Sequence, residues 1–124
     1  MVSAYNRNVT VQRSAFAWVG ENAVALWGDT RGGAYVKDPE AVAALPVGMG
    51  PDGTAGNVPR GTIIEANFAF RCGLFEKQSS FYFQALTAFS NISRNIFFNG
   101  PRAGVVWNDG FIGGNTLEWN LMFN

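Results

Sequence analysis

Residues 62–75 read TIIEANFAFRCGLF. Ile64, Ala66, Phe68, Phe70, Cys72 and Leu74 alternate with Glu65, Asn67 and Arg71, the period of two expected of a strand with one buried face. It is the strongest strand signal in the chain, and its β-branched and aromatic content suits a pleated surface. The stretch that follows is ambiguous. Across 74–90, Leu74, Phe81, Tyr82, Ala85, Leu86 and Phe89 make a helical stripe, while Phe81, Phe83, Ala85, Thr87 and Phe89 alternate as in a strand. The polar run Glu76–Ser79 looks like a turn, so a second strand of a hairpin is preferred and a helix is the alternative.

Moving outward, Asn95–Phe98 and Gly104–Trp107 read as strands, with Asn108-Asp109-Gly110 as a turn. Asn115–Asn124 reads as one terminal strand with Leu117, Trp119, Leu121 and Phe123 on a shared face. Upstream, Val9–Gln12 alternates, and Ala15–Val19 and Ala23–Trp27 flank Gly20-Glu21-Asn22 as a hairpin would. Between Gly28 and Gly61 the composition turns to glycine and proline, which excludes long regular elements. One short helix fits there, with Asp38 as N-cap, Pro39 in the first turn and Ala41–Leu45 as its body. No internal repeat stands out. The expected fold is all-β, a mainly antiparallel sandwich or barrel, forming a single domain over 1–124 with 28–61 as an extended loop or assembly arm.

Composition narrows the function. With 124 residues the chain suits one core, and 11 Phe and 4 Trp supply ample apolar area for it. Basic and acidic residues number nine each and cancel, so no electrostatic footprint for nucleic acid exists. Charged residues are only 15%, against about 25% in an ordinary soluble domain, and a neutral surface so poor in charge favours association. The opening MVSAYNRNVTVQ lacks the apolar core of a secretory signal, and no apolar run reaches membrane-helix length. Synthesis in a cytoplasm is expected, and the sequons Asn8-Val9-Thr10 and Asn91-Ile92-Ser93 are read as chance.

The chemistry-bearing residues are few. There is no histidine, so neither a Ser-His-Asp nor a Cys-His arrangement can be built, and zinc would find one thiol and no imidazole. Cys72 shares the apolar face of its strand and is read as a core residue. Asp29, Asp38, Glu40 and Asp52 have no calcium-loop spacing. Gly48-Met49-Gly50-Pro51-Asp52-Gly53 matches a dinucleotide fingerprint in letters only, because Pro59 follows where a helix would have to run. Glu65 with Glu118 is a conceivable glycosidase pair, read here as solvated sheet-face charge. Trp18, Trp27, Trp107 and Trp119 are read mainly as core, with sugar stacking as the other use.

These readings lead to a non-enzymatic structural subunit without cofactor, catalytic residue or metal. Its partners are copies of itself and other virion proteins, as in a tail-tube or capsid-decoration protein, and its place is an assembled particle. A lectin-like carbohydrate-binding module is the alternative. The subunit contacts are expected from the arm, through Tyr35, Val36, Val42, Leu45, Val47, Met49 and Val58, apolar groups that one small domain has difficulty burying.

Overall fold

A computed structural model describes residues 2–4, 6–28, 58–108 and 112–124. Its strands are β1 (Val2–Ala4), β2 (Thr10–Gln12), β3 (Ala15–Val19), β4 (Val24–Trp27), β5 (Ile63–Glu65), β6 (Phe68–Cys72) and β7 (Ser80–Ala85). They continue with β8 (Thr87–Ala88), β9 (Asn91–Ser93), β10 (Ile96–Phe98), β11 (Ala103–Trp107), β12 (Ile112–Gly113), β13 (Thr116–Glu118) and β14 (Leu121–Phe123). Sheet I has the order β1-β4-β7-β11, sheet II β8-β12, sheet III β2-β5-β9-β13 and sheet IV β3-β6-β10-β14.

All the strand pairs among the described residues are parallel. Strands adjacent in sequence belong to different sheets, so the chain winds through the sheets in turn and returns to each one coil later. This is a β-solenoid of four stacked coils. Partners such as Thr87 and Ile112 lie about 25 residues apart, a spacing that marks solenoids. The expected antiparallel sandwich or barrel is therefore wrong, and so are its hairpins: β3 and β4 occupy sheets IV and I, as do β10 and β11. No helix occurs among the described residues; the regular structure within 74–90 is the strands β7 and β8. The helix expected after Asp38 lies outside the described residues.

The turn between sheets III and IV explains the misreading. Arg13, Ala66, Arg94 and Trp119 stand one above another there, each in the left-handed region with φ of 49°, 54°, 56° and 58°. Each bends the chain sharply and resets which residues face inward. Ile64 points into the core, yet beyond the bend Ala69 and Cys72 are buried while Phe68 is exposed. What looked like one long alternating strand over 62–75 is two strands around a corner. The same happens in 115–124, where Leu117 aligns with buried Ile92 but Leu121 aligns with exposed Ile96.

Left-handed backbone costs an L-residue about 1–2 kcal/mol, and the residue after each bend offsets it. Ser14, Asn67, Asn95 and Asn120 form a ladder inside the turn. The Ser14 N–H donates to Asn67 Oδ1 (3.0 Å), the Asn67 N–H to Asn95 Oδ1 (2.9 Å) and the Asn95 N–H to Asn120 Oδ1 (2.9 Å). The carboxamide nitrogens reach back to the same coil: Asn67 Nδ2 donates to the Val11 carbonyl, Asn95 Nδ2 to Ile64 and Asn120 Nδ2 to Ile92. Each asparagine thus satisfies two backbone groups of the preceding coil, and Asn67 and Asn95 also donate to the carboxamide oxygen of the next.

A second left-handed column, Asn8, Gly61, Phe89 and Gly114, turns the chain into sheet III. Here bulk and glycine alternate. A Cβ on Gly114 would strike the Phe89 ring, and one on Gly61 would strike Asn8 Oδ1, so the two glycines are required by close approach as well as by φ.

Substituting Asn95→Ala strands the Asn67 N–H and the Ile64 carbonyl, and is expected to cost about 3 kcal/mol or more in denaturant unfolding. Ala66→Gly, which relieves the left-handed strain and keeps the ladder, is expected to be neutral or to stabilise by up to about 1 kcal/mol. A strongly destabilising Ala66→Gly would contradict the assigned turn.

Candidate functional site

The interior is filled from all sheets. Val24, Leu26, Ile64, Ile92 and Tyr82 are fully buried, and Phe81 stacks on Phe97 at 4.0 Å while meeting Phe16 edge-on at 5.5 Å. Burial pushes the Tyr82 hydroxyl well above its usual range, and it donates to Gln84 Oε1 at 2.7 Å, a structural use. Cys72 is buried in this core, as its sequence position suggested, and burial raises its thiol pKa. It lines an open, mainly apolar pocket of about 240 Å³ with Ala69, Phe81, Phe97, Gly104 and Met122, which Arg102 and Asn124 also line.

Sheet IV has an outer face of a different kind from an ordinary solvated sheet. Two columns cross it: Ala15, Phe68, Ile96 and Leu121, then Ala17, Phe70, Phe98 and Phe123. Leu121 and Phe123 are 55% and 51% exposed, Phe68 41%. Phe98 is sandwiched between Phe70 (5.5 Å, 9° between planes) and Phe123 (5.0 Å, 3°). Phe68 meets both Phe70 and Phe98 edge-on, and Trp18 meets Phe70 edge-on at 5.1 Å. The strands hold the rings at nearly the coil spacing, so the rings stack on one another and turn their edges outward. Four strands about 4.8 Å apart and three to five residues long make a face of roughly 250 Å², close to the largest apolar patches that monomers commonly expose.

Sheet III is more polar outside. Gln12, Glu65, Ser93 and Glu118 share one outward column. The two carboxylates considered as a glycosidase pair are thus on one face, two coils and roughly 10 Å apart by strand spacing. Glu65 is already ion-paired with Arg94 at 2.6 Å, in the open. Among the described residues no group of three or more His, Cys, Asp or Glu could hold a metal.

The sequence put the tryptophans mainly in the core; the structure does not. Trp18 and Trp119 are 61% and 80% exposed, and Trp27 and Trp107 are also exposed. Of the expected interface residues, Val58 is buried within the single copy and its carbonyl accepts from Arg7. Tyr35, Val36, Val42, Leu45, Val47 and Met49 lie outside the described residues, as do Asp29, Asp38, Glu40, Asp52 and the Gly48–Gly53 stretch. The apolar outer face was missed because Phe68 and Phe70 were assigned to the same face as Cys72. The signal that would have found it is the thrice-repeated pattern of Asn67, Asn95 and Asn120, each followed three residues later by Phe70, Phe98 and Phe123.

No protein-family model matches the chain, and neither a curated protein nor a solved structure matches it.

Native Cys72 is expected to react slowly with a thiol reagent and at full rate after unfolding, because both access and thiolate formation are suppressed. Cys72→Ala should cost about 1 kcal/mol in packing and leave association unchanged. Fast labelling of the folded protein would contradict the burial.

Proposed function

We propose that this chain is a non-enzymatic structural subunit that self-assembles, of the kind that builds virus or phage particles. The observation that carries the reading is the outer face of sheet IV, an aromatic and aliphatic strip on a stiff, repetitive scaffold. Removing such a face from water gains roughly 25 cal/mol for each Å². The low charge content and zero net charge add no repulsion between copies.

Ring geometry favours protein packing over a sugar platform. A sugar ring stacks on an open aromatic face, whereas Phe98 has both faces covered by Phe70 and Phe123 and presents an edge. Edges and methyl groups suit the dry, interdigitated contact of one sheet with another. A face of roughly 250 Å² is nevertheless small beside the roughly 800 Å² that each partner buries in a standard interface. Lateral packing therefore calls for more than one such contact for each copy.

Ile96→Glu places a charge in the middle of the strip at an exposed position, and is expected to leave the circular dichroism unchanged while lowering the light-scattering mass of the oligomer several-fold. Ile63→Glu, exposed on sheet III instead, should leave the oligomer intact. A parent protein that stays monomeric at high concentration, or binds on a glycan array as a monomer, would overturn the reading.

A further inference from the structure

The coil stack has two ends, and their surfaces match. We propose that copies of this chain also add end to end, the first coil of one copy continuing the fourth coil of another in the same parallel register. This rests on the reading that the chain assembles with itself, and it supplies the added contact that the lateral strip requires.

The fourth coil has apolar inward positions that remain uncovered. Leu117 and Met122 align with the buried Ile92 and Phe97, yet are 44% and 40% exposed. One register step further would bring Val11 of a second copy onto Leu117 and Phe16 onto Met122. Both are apolar, only partly buried, and pack against the core cluster of their own copy.

Charge repeats across the same junction. Glu65 in the second coil is paired with Arg94 in the third. Glu118 occupies the column of Glu65 one coil beyond Ser93, and Arg13 occupies the column of Arg94. The offset that joins Glu65 to Arg94 would join Glu118 of one copy to Arg13 of the next, and both side chains are exposed. Trp119, at the bend beside Glu118, would stand next to the same guanidinium, a favourable cation and ring pairing.

The backbone pattern also continues. The N–H of Arg13 donates to the Glu65 carbonyl, that of Ala66 to Ser93 and that of Arg94 to Glu118; the next in series is Trp119 to Gln12 of another copy. Where earlier coils offer Asn Oδ1 to the ladder N–H, the incoming coil would offer Ser14 Oγ, which donates its own hydrogen to the Gln12 carbonyl and keeps lone pairs free. In the second left-handed column, the alternation Asn8, Gly61, Phe89, Gly114 would resume with Asn8, so no two bulky groups meet. Such a contact is head-to-tail and does not close on itself, so it produces rods rather than rings.

The test uses the full chain with Cys72→Ser. One protein carries Thr10→Cys and another Thr116→Cys, both at exposed positions of columns that would become neighbours at strand spacing, within reach of a disulfide. After mixing and oxidation, the expected product is a 10-to-116 cross-linked pair, several-fold in excess of 10-to-10 and 116-to-116 pairs. Adding Glu118→Arg to the Thr116→Cys protein should cut that yield several-fold, and adding Arg13→Glu to the Thr10→Cys protein should restore it. Homotypic pairs in equal yield, or no 10-to-116 product, would overturn the end-to-end contact. Ile96→Glu in both proteins separates the two claims: lateral association is lost, while the 10-to-116 product persists.

Discussion

The asparagine ladder is the constraint on which the rest depends. Parallel strands repeat at about 4.8 Å, and a carboxamide can span that step, accepting from an N–H and donating to a carbonyl of the preceding coil while its nitrogen also donates to the carboxamide oxygen of the next. Asn67 and Asn95 make all three bonds while almost wholly buried. Satisfying these groups inside the turn is what lets Ala66, Arg94 and Trp119 hold a conformation that L-residues seldom adopt. Without the bend, sheets III and IV would merge into one strand and the coil would not turn.

Stacking in register has a second consequence, felt on the surface. Every outward position becomes a column, so a residue type repeated at each coil becomes a continuous stripe. Phenylalanine at Phe70, Phe98 and Phe123 gives a stack of rings; glutamate at Glu65 and Glu118 gives a spaced row of carboxylates. The same regularity leaves unspent strand edges and half-covered apolar groups at the last coil. Lateral strip and coil ends are therefore two products of one translational repeat.

Much of the local structure was legible in the sequence. Segments 62–72, 80–85, 95–98 and 103–107 contain strands close to where alternation placed them, and Cys72 is buried as expected, although Phe70, with which it was expected to share a face, lies in the outer stack of rings. The bends were not legible, since Ala66, Arg94 and Trp119 are not turn formers and no glycine marks the corner. Alternation read straight through them gives the right strands with the wrong faces, which is why the outer phenylalanines were assigned to the core. The repeat was hidden because Ser14 replaces asparagine in the first coil, and because residues 29–57 separate the first coil's strands from their partners in sequence. Parallel pairing leaves no local signature of its own, whereas a hairpin does.

The most direct measurement is hydrogen exchange of the asparagine side-chain amides by nuclear magnetic resonance. In a coil stack held by the ladder, the carboxamide protons of Asn67 and Asn95 exchange as slowly as the backbone amides of Ile64 and Ile92, while the exposed side chain of Asn99 exchanges at the rate of a free amide. Fast exchange at Asn67 and Asn95 in the folded protein would contradict the ladder, and with it the parallel coil.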